Sequence, residues 1–159
     1  MPSSFPLADS FPPPDLAWIE PGFAVGSLPY AAQRRRVAEL GIKVVVSLLE
    51  PDEQEVRDWQ ELGVRFVTIP TYDWVAIPAA NFDRVVEAVS ECLEAGTPVL
   101  LHCLAGVNRA PTCAAAVLCH RRGLAVEVAL EAVRRARPAA APTPEQAASL
   151  RAWLERRKM

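Results

Sequence analysis

Two short apolar runs constrain this chain more than any other feature. Residues 42–49 (IKVVVSLL) and 98–102 (PVLLH) are β-branched or aliphatic without polar alternation. A strand that is apolar on both faces must be covered on both, which is the signature of a parallel sheet sandwiched by helices. The segments between and around these runs supply the helices. Residues 31–40, 52–62, 79–95, 110–122, 126–137 and 144–158 read as helices, and the first four stop at Gly41, Gly63, Gly96 and Gly123. Residues 23–25 and 64–69 read as two further strands. Strands alternating with helices predict an α/β domain: a central, mostly parallel sheet of four to five strands flanked by helices.

The chain has 159 residues, 51% of them hydrophobic and 23% charged, enough for one domain with a real core. Residues 1–17 are set apart as a proline-rich N-terminal arm, extended or unfolded, with the folded domain over 18–159. Phe5, Leu7, Phe11, Trp18 and Ile19 are candidates to pin that arm down. A net charge of −2 argues against a general nucleic-acid binder. It hides an asymmetry: residues 1–100 carry 7 basic and 15 acidic side chains, residues 101–159 carry 10 and 4. Such a split hints at an anionic partner for the basic half, or at solvated helix faces. Cys92, Cys103, Cys113 and Cys119 form no CxxC pair, so reduced thiols in the cytoplasm are expected. The N-terminus lacks a secretory pattern, and no apolar run is long enough for a membrane helix, so no membrane association is expected.

The chemistry concentrates in His102-Cys103-Leu104-Ala105-Gly106-Val107-Asn108-Arg109, between a buried strand and a helix start. There, backbone N–H groups converge and the helix dipole favours an anion. A cysteine facing those donors is favoured as a thiolate nucleophile. The Arg109 fork can hold two oxygens of a phosphoryl group. Gly106 lets the backbone curl round a tetrahedral anion, and Pro111 suits the first helical turn. A cysteine and an arginine six apart are common by chance. Requiring the histidine and the glycine as well lowers the chance expectation to about 10⁻⁴.

The segment HCLAGVNRAPT resembles the H-C-x-x-G-x-x-R-[S/T] phosphate loop of cysteine-dependent phosphatases, in particular the dual-specificity branch of the protein tyrosine phosphatases. Residues 18–22 (WIEPG), 24–27 (AVGS), 41–48 (GIKVVVSL) and 133–138 (VRRARP) are similar to other segments of that branch. The resemblance is strongest to its small, atypical, single-domain members. It implies hydrolysis of phosphomonoesters through a phosphocysteine on Cys103, with no metal and no cofactor. Leu104 to Asn108 would supply the phosphate-binding backbone and Arg109 the guanidinium. The family's general acid is an Asp about 30 residues before the cysteine. Asp73 stands at that distance in the proline-bounded loop 70–78, where it can protonate the leaving oxygen. Trp74 is read either as part of the pocket rim or as loop packing. The resemblance gives His102 a supporting role through a backbone hydrogen bond. Gln146 is read first as an ordinary residue of the last helix's opening turn; the resemblance offers it the attacking water instead.

One position departs from the pattern. Ala110 stands where the family carries a Ser or Thr whose hydroxyl steadies the sulfur as it leaves. Thr112 lies further along the helix and is not expected to replace it. An active but slowed enzyme is therefore expected, or one whose second step uses other groups. The expected substrate is a phosphorylated protein or a small phosphomonoester, and the chain is expected to be a monomer. Phosphoinositide-directed relatives place basic residues inside the loop; Leu104, Ala105, Val107 and Asn108 are uncharged. An RNA 5′-triphosphatase or a phosphoinositide phosphatase of the same superfamily, and a non-catalytic phosphate-binding pseudophosphatase, are the alternatives. The other three thiols are expected to be buried small hydrophobes.

Overall fold

A computed structural model of the chain describes residues 12–159. Five strands and six helices follow in the order β1 (Leu16–Glu20), β2 (Phe23–Gly26), α1 (Ala31–Glu39), β3 (Val44–Ser47), α2 (Glu53–Glu61), β4 (Arg65–Thr68), α3 (Ala79–Glu94), β5 (Val99–His102), α4 (Arg109–Arg122), α5 (Val126–Ala136) and α6 (Pro144–Arg157). The sheet order is β1-β2-β5-β3-β4. Only the β1–β2 pair is antiparallel; the other three are parallel. The sheet is mixed and mostly parallel, as the non-alternating apolar runs require.

Those runs face two layers. Phe23, Val25, Val44, Val46, Val99 and Leu101 pack into the larger core with residues of α3 to α6. Their neighbours Ala24, Val45 and Leu100 face the other way, onto Val37 of α1 and Trp59 of α2. Trp59 is fully buried, a placement worth about 3–5 kcal/mol against alanine. Helix α4 is buried continuously from Arg109 to Cys119. Its run of alanines lets α3, α5 and α6 all pack against it.

Register positions the chemistry. Gly26, His102 and Ser47 lie side by side at the carboxyl ends of β2, β5 and β3. From there β2 and β3 lead to helices on one face, and β5 leads to α4 on the other. A crevice opens where neighbouring connections diverge in this way, at the end of β5.

The amino-terminal boundary needs correcting. Leu16 and Ala17 lie within β1, paired with Gly26 and Val25. Upstream, the Pro12 and Pro13 carbonyls accept from Gln33 Nε2 at 3.3 and 3.2 Å. The described part of the proline-rich segment is thus built into the domain and is not an arm ahead of residue 18. Trp18 and Ile19 sit in this edge strand; Phe5, Leu7 and Phe11 lie outside the described residues.

Candidate active site

Between β5 and α4 the chain turns through residues 103–108, and each carbonyl there is held from outside the turn. The Leu104 oxygen accepts from Leu28 N–H at 2.9 Å and the Val107 oxygen from Ala141 N–H at 2.8 Å. The buried Arg137 side chain donates to Ala105 and Gly106, from Nη2 at 3.1 Å and from Nε at 2.6 Å. Thr112 Oγ1 donates to the Asn108 oxygen at 2.6 Å, and His102 Nδ1 lies 3.0 Å from the Cys103 oxygen. With carbonyls drawn outward, the N–H groups of residues 104–108 are left without a protein acceptor among the described residues. A concave row of free N–H donors at a helix start is an oxyanion receptor. Gly106 makes the curl possible at φ +69°, and a Cβ there would strike Arg137 and the Gly26 backbone. Cys103 sits in the middle, 2% exposed, with Ala110 N–H pointing at its sulfur from 3.4 Å.

Arg109 and Asp73 meet beside this turn. Arg109 is buried; its Nη1 donates to the Thr71 carbonyl at 3.0 Å. Its Nε lies 3.7 Å from Asp73 Oδ2 and has no hydrogen-bond partner. Asp73 Oδ1 is crowded with donors: Trp74 N–H at 2.9 Å, Gln146 Nε2 at 3.1 Å and Asn108 Nδ2 at 3.5 Å. A cleft of about 410 Å³ opens here, with Leu48, Glu50, Thr71, Tyr72, Asp73 and Arg109 among its lining. Tyr72 lines it and Trp74 does not. Trp74 is 70% exposed and has φ +65°, a backbone region that bulky side chains avoid.

The supporting residues are placed by the helices. His102 is fully buried, and its Nε2 faces Glu55 Oε1 of α2 at 3.9 Å. Burial pulls its pKa down to about 4, with the nearby Arg34 and Arg109 charges acting in the same direction. Burial also pushes the Glu55 carboxyl up. A neutral imidazole whose Nδ1–H meets the Cys103 carbonyl is a strut for the turn, not a proton carrier. Gln146 is fully buried in the first turn of α6, and both ends of its amide are engaged. Its Oε1 accepts from Thr143 N–H at 3.0 Å in a capping box, and its Nε2 holds Asp73. Gln146 thus caps the helix and also reaches the site, through Asp73. Thr112 spends its hydroxyl on Asn108, so none is directed at Cys103, and Ala110 offers only a methyl.

Two residues of this arrangement escaped the sequence reading. Arg137 falls in the VRRARP segment, where a basic residue before a proline was visible without a task. Asp15 grips both Nη atoms of Arg137 at 2.9 Å, across 122 residues, with no local signal at all.

The family model for the catalytic domain of dual specificity phosphatases matches residues 25–156. The chain belongs to that family. Among curated relatives of this dual specificity phosphatase domain, the dual specificity protein phosphatase Mpk3 of Drosophila melanogaster is 31% identical over 127 residues. That match covers 78% of this chain and 30% of Mpk3. The phosphatidylglycerophosphatase and protein-tyrosine phosphatase 1 of Rattus norvegicus is 29% identical, over 77% of this chain and 67% of the relative. The crystal structure of Tk-PTP in the active form superposes with a TM-score of 0.83 at 30% identity, covering 90% of this chain and 98% of that one. The domain is thus of the cysteine-dependent phosphatase type. No helix among its described residues is long and apolar enough to cross a membrane.

Proposed function

We propose that this domain hydrolyses phosphomonoesters through a phosphocysteine on Cys103. The observation that carries the proposal is the turn 103–108, whose carbonyls all point away from the concavity that Cys103 occupies. Residues Leu104 to Asn108 offer N–H donors to the phosphoryl oxygens, and Arg109, whose Nε has no partner, can hold two of those oxygens. The Cys103 sulfur attacks phosphorus, an S–P bond forms, and the P–O bond to the leaving group breaks. Asp73 donates the proton. Oδ1 already accepts three N–H groups, so Oδ2, the oxygen nearer Arg109, is the one left to pass a proton. In the second step Asp73 takes a proton back from the water that attacks phosphorus, and the sulfur leaves as thiolate. No hydroxyl steadies that sulfur, since residue 110 is alanine, so breakdown of the phosphocysteine is the slower step.

The substrate we propose is a phosphorylated protein or a small phosphomonoester. The uncharged side chains at 104, 105, 107 and 108 and the Glu50 carboxylate on the cleft wall support this over a polyanionic phosphoinositide. A reducing, cytoplasmic location suits a thiolate enzyme whose four cysteines are all free, and a monomer suffices for the site. The test is hydrolysis of p-nitrophenyl phosphate in EDTA, with quench-flow detection of the first turnover. Cys103→Ser is expected to lose at least about 10⁴-fold, and the wild type is expected to show a burst. Full activity in Cys103→Ser would end the proposal. Phosphopeptides, a phosphoinositide and phosphatidylglycerophosphate, compared by kcat/KM, then decide the substrate.

A further inference from the structure

We infer that Asp15, which precedes β1 and lies outside the reaction cleft, is a positioning residue for the phosphate loop and acts through Arg137. The inference rests on reading residues 103–108 as the phosphate receptor. Arg137 follows the end of α5, and its side chain is 5% exposed. Its guanidinium divides its hydrogen bonds between two jobs. Nε and Nη2 take the carbonyls of Gly106 and Ala105, while Nη1 and Nη2 take the two carboxylate oxygens of Asp15, both at 2.9 Å. A bidentate pair of this kind fixes the plane of the guanidinium as well as its place. That plane decides where the two loop carbonyls point, and hence where the Gly106 and Val107 N–H groups on the same peptides point.

Asp15 is itself held. Its backbone carbonyl accepts from Ser27 N–H at 3.0 Å, one residue before Leu28 binds the Leu104 oxygen. One short stretch of chain therefore fixes the carboxylate and a third loop carbonyl together. Without the carboxylate, Arg137 is a buried cation facing two neutral oxygens, free to rotate toward water, and both carbonyls are released with it. The Arg137 guanidinium also holds the Asp15 carboxyl below the usual carboxylate range, so the pair is intact at any pH where the domain would be assayed. The carboxylate side chain is 61% exposed, which makes it removable without opening the core.

The experiment compares the full chain with Asp15→Asn, Asp15→Glu and a control, Glu127→Gln. The control removes an exposed carboxylate paired with Arg151 at 2.6 Å, away from the site. Each protein is measured for kcat and KM on p-nitrophenyl phosphate, for orthovanadate affinity by calorimetry, and for Tm. Asp15→Asn is expected to weaken vanadate and to lower kcat/KM by about tenfold each, as a displaced receptor should. Asp15→Glu should recover most of both, and Glu127→Gln should match the wild type. A lowered Tm with kcat/KM and vanadate unchanged in Asp15→Asn would make the pair merely structural and overturn the inference; so would Asp15→Glu behaving like Asp15→Asn. Vanadate binding needs no turnover. A wild type that binds vanadate but hydrolyses nothing refutes the proposed function and leaves the Asp15 comparison to be read from affinity. A wild type that binds no vanadate overturns both.

Discussion

The two loops that meet at Arg109 are built in opposite ways. Residues 103–108, the proposed phosphate loop, are fixed from every side: by Leu28, His102, Thr112, Arg137 and Ala141, drawn from four separate parts of the chain. The loop 70–78, the proposed acid loop, exposes Tyr72, Trp74 and Val75 and places Trp74 at positive φ. Its ends are tied, Thr71 N–H to the Leu48 carbonyl at 2.9 Å and Ile77 N–H to Ser149 Oγ at 3.1 Å, and between them residues 72–76 reach the rest of the site through Asp73, held by Gln146 and Asn108. The contrast teaches a division of labour. A receptor for a developing charge must be organised beforehand, because reorientation during the reaction adds to the barrier. The proposed proton donor stands on the middle of its loop, where ties are fewer, as suits a group that substrate must pass.

Three measurements would break or sharpen this contrast. The largest effect belongs to the acid loop. Asp73→Asn is expected to cost about 10²–10⁴ in kcat, more on phenyl phosphate than on p-nitrophenyl phosphate, because a poor leaving group needs the proton most. Equal losses on both substrates would remove Asp73 as the acid. Next comes a strut of the phosphate loop. His102 is held neutral down to about pH 4, whereas in the unfolded chain it gains a proton near 6.5. The unfolded state thus binds more protons between those values. The stability at stake is fully present above about pH 6.5, falls as pH drops toward 4, and is flat below. Its size is on the order of 3 kcal/mol. Glu55, pushed the other way by burial, partly offsets it. Urea midpoints at pH 7.5, 5.5 and 4.5 should therefore converge between wild type and His102→Gln as pH falls; parallel curves would contradict the neutral strut. The smallest effect tests the tie between α6 and the acid loop. Gln146→Ala should lower kcat about tenfold with little change in KM, while Thr143→Ala, which loses the cap alone, should cost only about 1 kcal/mol of stability. If both variants lose activity equally, Gln146 is only a cap.

Much of the fold could be read from the chain. Apolar runs without alternation gave β3 and β5, glycine stops gave the ends of α1 to α4, and each predicted helix lies within a residue or two of its observed limits. Strand β1 was hidden because Leu16–Glu20 is an edge strand with a half-buried pattern and prolines on both sides, so neither periodicity nor propensity marked it. Cys103, Arg109 and Asp73 could be proposed from the chain because each lies in a local motif or at a fixed distance from one. The links between them were not. Gln146 meets Asp73 across 73 residues and Asp15 meets Arg137 across 122, and such pairs exist only once the sheet has brought strand ends and helix starts together. Asn108 was placed by its position in the phosphate loop, and its side chain turns instead toward Asp73.

One side chain has a consequence for what the cleft will accept. Arg109 Nη1 is tied to the Thr71 carbonyl, while its Nε is buried, has no hydrogen-bond partner and faces Asp73 Oδ2 from 3.7 Å. The tie orients the guanidinium in advance, and the unpartnered N–H carries the cost of a buried donor left unmet. An acceptor that reaches it removes that cost and adds its own attraction, and a charged acceptor makes roughly twice as strong a bond as a neutral one. The folded chain thus keeps one donor unsatisfied, and the group that relieves it best is the one that brings a negative oxygen.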